Sequence, residues 1–475
     1  MCGVTGRISF NGRDVISEIL DDLIHLQNRG RDATGFVVGY SNQLTPYVPW
    51  KKPASAGSLF GKESEAKADT LIKRYKGNLG VGHVRYTTAG EPGENDNSGT
   101  QPHGFKHGGQ SVVLASNGDI PFREDMRESL EQLHGCRLAS NCDAEVLVNL
   151  VGLQVFRDRQ DEVTAFANVG RSLQAAFSLA AMTPSGKLLG MRDPWGFRPL
   201  FWAKNHNGAM ICSEMAPMKR HFKRGIHEVE PGTIVMFTDT GEVSIHRFSE
   251  PNPHFCLMEV FYFSQPNSTY RGTSFNELRY RLGVQAAREW LEAGYPLPDL
   301  VSEMPQSGGP AAQGVAHTLG CLLRNVVHKD RFGVTRNFMG RSADRVKQAE
   351  DNLDIIKEAV RGKVVMLVDD SVVRADQAKV VCVKLRRAKA KAVLYISTAP
   401  PYRYPCFFGL NTPEIKRLIA HGLTVEQVQA AIPYLDQLHY LSLEGSLKVL
   451  GGTGFCTGCF TGQYPMPVPD SKPEV

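Results

Sequence analysis

The run Val364-Val365-Met366-Leu367-Val368 is apolar throughout and ends abruptly in Asp369-Asp370. A loop and a helical stretch follow, through Lys384, and Ala392–Ser397 repeats the strand signal. Strand, helix and strand in this order predict a βαβ unit, and hence a parallel sheet. Open parallel sheets bind ligands beyond the carboxyl ends of their strands. The two adjacent carboxylates stand at such an end. Phe275–Ala293 adds a long helical pattern ahead of this unit.

The first half of the chain has a different rhythm. Val15–Gln27 carries apolar residues at helical spacing, while Leu79–Tyr86 and Ser111–Ser116 read as strands followed by turn chemistry. Asp143–Val151 reads as a helix opened by an acidic residue. Ala175–Met182 and Lys187–Arg192 read as a strand pair about Pro184-Ser185-Gly186, and Thr233–Phe237 as a strand after Pro231-Gly232. Pro251-Asn252-Pro253 is the expected linker. At 475 residues the chain exceeds one typical core, so two domains are expected, over 2–240 and 256–465, with a disordered tail over 466–475.

Composition removes several function classes. A net charge of +5 on this length does not argue for nucleic acid or a membrane surface. No apolar stretch approaches the ~20 residues of a spanning helix. No charged-then-apolar leader is visible, so a cytoplasmic location is expected. Ten cysteines in such a chain favour catalysis and metal binding over disulfides.

The chain starts Met1-Cys2-Gly3. Removal of the initiator methionine, usual before a small residue, would put a thiol and an α-amine on one residue. An α-amine with a pKa of roughly 7.7–8.0 can take the proton of a thiol near ~8.5, which joins nucleophile and base in one residue. Such a thiol attacking an amide needs an oxyanion hole, a clamp for the substrate carboxylate and a partner for its ammonium. Arg85 offers a two-donor fork for a carboxylate. Asn117-Gly118 offers a side-chain amide and a backbone N–H for an oxyanion, and Asp143 a carboxylate for an ammonium. Each has a plainer reading: a surface arginine, a hairpin turn and a helix cap.

Their joint order resembles a known family. Cys-Gly is followed by Arg-Gly-x-Asp-x-x-Gly (Arg29 to Gly35), Gly-His-Val-Arg-Tyr-Thr-Thr (Gly82 to Thr88) and Ser-Asn-Gly-Asp. Asp-x-Glu (Asp143, Glu145) and Arg-Asp-Pro-Trp-Gly-Phe-Arg-Pro-Leu (Arg192 to Leu200) complete the order. The pattern is similar to class II glutamine amidotransferase domains. More narrowly, it resembles the glutamine phosphoribosyl-pyrophosphate amidotransferase family that opens purine synthesis, to about Pro465. The resemblance implies an N-terminal four-layer αββα domain of the N-terminal-nucleophile type. A type I phosphoribosyltransferase-like parallel-sheet domain should follow. It also implies that Cys2 attacks the glutamine amide and forms a glutamyl thioester. Asn117 and Gly118 would make the oxyanion hole, and Arg85 and Asp143 would bind the glutamine α-carboxylate and α-amine. The family's His-Arg-Gly-Gln is Asn28-Arg29-Gly30-Arg31 here, and its Asn-Gly-Asn is Asn117-Gly118-Asp119. Family members assemble as homodimers or homotetramers, so a homo-oligomer is expected.

Cys456-Thr457-Gly458-Cys459 alone suits redox chemistry, zinc or neither. In family members with an iron–sulfur cluster, ligands occur at the positions of Cys256, Cys406, Cys456 and Cys459. Four thiolates suit a [4Fe–4S] cluster or Zn²⁺, and the resemblance favours the cluster, in a structural role. Cys136, Cys142, Cys212, Cys321 and Cys382 are expected to be core residues.

Val364 to Arg374 resembles the phosphoribosyl-pyrophosphate motif of type I phosphoribosyltransferases. Asp369 and Asp370 would bind ribose hydroxyls, with Mg²⁺ arriving with the acceptor. Ser307 and Lys329 fall in the matching pyrophosphate and closing loops. The family continues Gly-Thr-Thr-Ser around the 5′-phosphate, but here the residues are Ala375-Asp376-Gln377-Ala378. Ala375 stands where the family motif has a glycine, the residue suited to close approach or unusual dihedrals. Asp376 sets a carboxylate where a phosphate would sit. Two like charges at ~4 Å cost about 4 kcal/mol at an effective dielectric near 20. The family's Pro-Asp-Ser-Gly is Pro305-Gln306-Ser307-Gly308, and its Gln-Glu-x-Arg segment is replaced around Ser342 to Arg345.

The resemblance thus implies a glutamine-dependent amidotransferase. Its ammonia would pass, under closure of the 329–345 loop, to aminate C1 of phosphoribosyl pyrophosphate or a related ribose-like acceptor. Two alternatives remain: a paralogue that aminates a non-5′-phosphorylated acceptor, toward which the loop chemistry leans, and a non-catalytic regulatory homologue.

Overall fold

The computed structural model describes residues 1–42, 47–86, 98–305, 307–329, 352–412 and 415–470. Two antiparallel sheets form the first half. One has seven strands, in the order Ile226–Glu228, Phe201–Lys204, Gly208–Cys212, Gly3–Ser9, Leu79–Arg85, Ala33–Gly39 and Trp50–Lys52. The other has six: Val243–Arg247, Thr233–Phe237, Leu188–Arg192, Ala176–Met182, Gln110–Asp119 and His103–His107. Val4, Ile8 and Val81 of the first sheet meet Val113, Ala180 and Val235 of the second in one buried core. The helix Ile16–His25 covers the outer face of the first sheet, and the helices Asp143–Gly152 and Glu162–Ser172 that of the second. This is the expected αββα stack.

The second half holds a five-stranded sheet. Its order is Leu322–Leu323, Leu300–Glu303, Val364–Asp369, Ala392–Ser397 and Gln437–Tyr440, all parallel. Val365 and Leu367 bury on one face, beside the helix Asp376–Arg387. Met366 and Val368 bury on the other, against the helices Phe275–Glu292 and Gly309–Leu319. The apolar run is therefore buried on both sides, as parallel strands require. Among the described residues, no helix is long and apolar enough to cross a membrane.

The halves join along Arg192–Leu200. The linker follows this segment closely: Asn252 N–H donates to the Pro194 carbonyl (2.8 Å), His254 N–H to that of Trp195 (2.6 Å) and Cys256 N–H to that of Phe197 (3.2 Å). Arg29 is fully buried across the junction. Its Nε donates to Glu214 (2.9 Å), and its two terminal nitrogens donate to Glu259 (3.1 and 2.8 Å). The tail expected to be disordered from residue 466 begins inside the core, where Met466 is buried and Val468 packs beside it; residues 471–475 lie outside the described residues.

Candidate active sites and cysteine cluster

Cys2 lies at the end of the Gly3–Ser9 strand, beside that of Leu79–Arg85, whose last residues face it. One pocket gathers Cys2, Arg85, Gly118 and Asp143 from four separate segments. Asn117 and Gly118 sit inside the strand Gln110–Asp119, opposite Ser178 and Phe177, and not in a hairpin turn. The Cys2 N–H donates to Asn117 Oδ1 (3.1 Å). Asn117 is buried, and its Nδ2 has no partner among the described residues. A buried amide donor left unsatisfied beside a nucleophile is available to an oxygen that gains charge. The Cys2 thiol lies 3.7 Å from the Tyr86 carbonyl.

Close backbone approach fixes Arg85. A Cβ on Gly30 would come within 2.3–2.7 Å of the Arg85 and Tyr86 backbone, and one on Gly99 within 2.6 Å of the Arg85 guanidinium. His83 is a poor proton acceptor: burial, then the charge of Arg85, pushes its imidazole down to about 3. Met1 is buried, and burial pushes its amine down to about 5.

Asp143 opens the helix Asp143–Gly152 and is pushed well above the usual carboxylate range, by burial first and then by the neighbouring Asp119. Arg123, 3.7 Å away, opposes that shift. Glu145, two residues on from Asp143, accepts the N–H groups of Ala139 (2.9 Å) and Ser140 (2.7 Å) and so braces the pocket wall. Arg123, Gln101, Ser116, Asn141 and Cys142 also line the pocket. Sequence reasoning missed them; only the Asp-x-Glu spacing pointed to this wall. Cys142, expected in the core, packs against the core of the second sheet and, as the residue preceding the helix, also lines the pocket. Burial raises its thiol to about 12, so it remains protonated.

At the acceptor end, Asp369 and Asp370 close the strand Val364–Asp369. Tyr395 donates to Asp369 (2.7 Å), and Ser371 to Asp370 (2.8 Å). Ser307 also hydrogen-bonds Asp370. Burial, then the charge of Asp370, pushes Asp369 well above its usual range. Ala375 adopts φ 63° and ψ 14°, the left-handed conformation that favours glycine, and Asp376 opens the helix Asp376–Arg387. Lys329 ends the strand Val327–Lys329. Gln306 and most of the 329–345 loop, including Ser342 to Arg345, lie outside the described residues.

Cys256, Cys406, Cys456 and Cys459 line a single small cavity with Phe197, Arg198, Phe408, Leu410 and Tyr464. Parallel pairing of Phe255–Cys256 with Phe455–Cys456 places Cys256 beside Cys456. All four are free thiols. The Arg198 guanidinium is fully buried beside them, a cation suited to thiolates. Among the described residues, no three His, Cys, Asp or Glu side chains are arranged to hold a metal ion directly.

Residues 90–220 match the family described as a glutamine amidotransferase domain. The chain is 32% identical to the amidophosphoribosyltransferase of Pyrococcus horikoshii over 464 residues, 98% of this chain and 96% of that one. It is also 32% identical to that of Bacillus subtilis over 475 residues, covering 98% and 94%. Its fold matches the glutamine phosphoribosylpyrophosphate amidotransferase from B. subtilis, solved with ADP and GMP. The TM-score is 0.84 at 29% identity, over 99% of both chains. With such identity running through both halves of each relative, this chain belongs to the amidophosphoribosyltransferase family.

Proposed function

We propose that the chain frees ammonia from glutamine at Cys2 and uses it to aminate C1 of phosphoribosyl pyrophosphate. The observation that carries the reading is the unpartnered Nδ2 of Asn117, beside Cys2 in a pocket that also holds Arg85 and Asp143. Arg85 takes the glutamine α-carboxylate in a two-pronged hydrogen bond, and Asp143 takes the α-ammonium. The Cys2 α-amine, freed by loss of Met1, accepts the thiol proton. The sulfur attacks the amide carbon, and Asn117 Nδ2 with the Gly118 N–H stabilises the developing oxyanion. The amine returns its proton to the leaving nitrogen, and water then cleaves the glutamyl thioester to glutamate.

In the second domain, Asp369 and Asp370 would hold the ribose hydroxyls, with Ser307 and Lys329 toward the pyrophosphate. Mg²⁺ bound with the acceptor would offset pyrophosphate charge. Ammonia adds to C1 and pyrophosphate leaves. The relatives matched over their full length carry the amidophosphoribosyltransferase name, and this favours phosphoribosyl pyrophosphate over both alternatives. The lean toward a non-phosphorylated acceptor rested on Ala375, Asp376 and the departures at Gln306 and Ser342 to Arg345, and gains no support from these matches.

The four cysteines sharing one cavity beside Arg198 support a structural [4Fe–4S] cluster, which the family resemblance favours over Zn²⁺. They would tie the linker to the C-terminal end of the chain. Cytoplasmic residence and a homodimer or homotetramer belong to the same proposal. The test supplies glutamine, Mg²⁺ and phosphoribosyl pyrophosphate to protein purified without oxygen, then ammonia in place of glutamine. Pyrophosphate release in both cases is expected. Glutamate formation with no pyrophosphate from either nitrogen source would overturn the acceptor assignment.

A further inference from the structure

The segment Cys406–Leu410 is irregular and buried. It belongs to the second half of the chain yet reaches the glutamine pocket. Gly409 has φ +99°, and a Cβ there would fall 2.8 Å from the Gly118 oxygen, 2.9 Å from its carbonyl carbon and 3.1 Å from its Cα. On the other side of Gly118, a Cβ would fall 1.8 Å from the Ala176 carbonyl oxygen. Gly118 is therefore held between the Ala176–Met182 strand and Gly409, with no room on either side.

Five contacts hold the segment that carries Gly409. The Phe408 carbonyl accepts from Arg198 Nε (2.9 Å) and Nη2. The Phe408 ring stacks on Phe197, with centroids 4.4 Å apart. The Phe408 N–H donates to Cys406 Sγ (3.3 Å), and the Cys406 N–H to Thr412 (3.0 Å). Arg198 and Phe197 both belong to the Arg192–Leu200 segment that joins the two halves. Gly409 is thus set from the junction and pressed on the backbone of an oxyanion-hole residue.

We infer that Gly409 is a positioning residue for glutamine hydrolysis: it holds the Gly118 peptide so that its N–H faces the oxyanion. The inference rests on the glutaminase reading above. An oxyanion interaction forms in the transition state and not in the bound substrate, so displacing Gly118 lowers kcat and leaves KM nearly unchanged. A purely structural role would instead lower the amount of folded enzyme, and with it both nitrogen routes in proportion.

The test is Gly409→Ala in the full chain, assayed for glutamate formation and for ammonia-dependent pyrophosphate release. Glutaminase kcat is expected to fall at least about tenfold, short of the 10²–10³-fold loss of a whole oxyanion donor. Glutamine KM should stay within about twofold, and ammonia-dependent release should be retained. Unchanged glutaminase kcat, or an equal fall by both routes in soluble protein, overturns the inference. Wild-type protein without glutaminase activity would instead sink the underlying reading. If Gly409→Ala does not fold, Phe408→Leu decides. It removes the stack on Phe197 without adding a Cβ at residue 409. A smaller fall in glutaminase kcat at constant KM supports the inference, and an unaltered kcat rejects it.

Discussion

The glutamine pocket and the acceptor loop treat tight backbone and charge in opposite ways. Around Cys2, glycine stands wherever the chain approaches itself: Gly30 on Arg85, Gly118 on Ala176 and Gly409 on Gly118. At the acceptor loop, Ala375 holds a left-handed conformation with its Cβ present. Around Cys2, Asp143 has Arg123 nearby. In the acceptor loop, Asp376 occupies the helix start at which an anion would bind. The first site gathers Arg85 and Asp143 beside Cys2, with glycine at these close approaches. The second carries strain and a repulsive charge, so substitutions there should improve ligand binding, whereas loss of Cys2, Asn117 or Arg29 should do harm.

The strongest challenge to this contrast is Cys2→Ser. Glutamine-dependent synthesis should fall roughly 10³-fold or more while ammonia-dependent synthesis persists, measured by pyrophosphate release. Equal loss by both routes would show that the sites are not separable. Asn117→Ala should cost about 10²–10³ in glutaminase kcat. Arg29→Met leaves Glu214 and Glu259 buried without their shared cation, and should lower stability by about 3–5 kcal/mol in urea unfolding.

A finer probe is pH. Asp143 must be ionised to hold an ammonium, and burial with the Asp119 charge raises its pKa. Glutamine KM should therefore rise as pH falls. Asp119→Asn removes a neighbouring negative charge and lowers the Asp143 pKa, so the acid limb should move to lower pH. A limb that stays in place would separate Asp119 from substrate binding. The smallest effects belong to the acceptor loop. Ala375→Gly should stabilise the fold by about 1 kcal/mol, seen as a raised melting temperature. Adding Asp376→Thr should lower the KM for phosphoribosyl pyrophosphate by about tenfold, part of the unscreened repulsion. Unchanged KM would remove the electrostatic half of the comparison.

Local patterns were legible wherever one residue's neighbours in sequence decide its structure. The strand Ala392–Ser397 matches the reading residue for residue, and the helix Phe275–Glu292 to within one residue. The demand for unusual dihedrals at Ala375 was visible only through the resemblance, because the family motif carries a glycine there. Asn117-Gly118 was ambiguous, since the same pair serves a hairpin turn and a strand end. Pairing with Ser178 and Phe177 resolved it. Cys142 packs against the core as expected, and its place at the pocket edge was not legible because the residue before a helix can touch both a core and a cleft.

From the sequence alone followed a parallel sheet ending in two carboxylates, a first half of short strands and turns, a cysteine at position two and the family resemblance. All of these rest on local periodicity or short motifs. Tertiary structure alone decided that Arg29 spans both halves to reach Glu214 and Glu259. It also decided that Gly409 presses on Gly118. These residues lie far apart along the chain, and their proximity comes from how two finished cores pack, which no local spacing encodes.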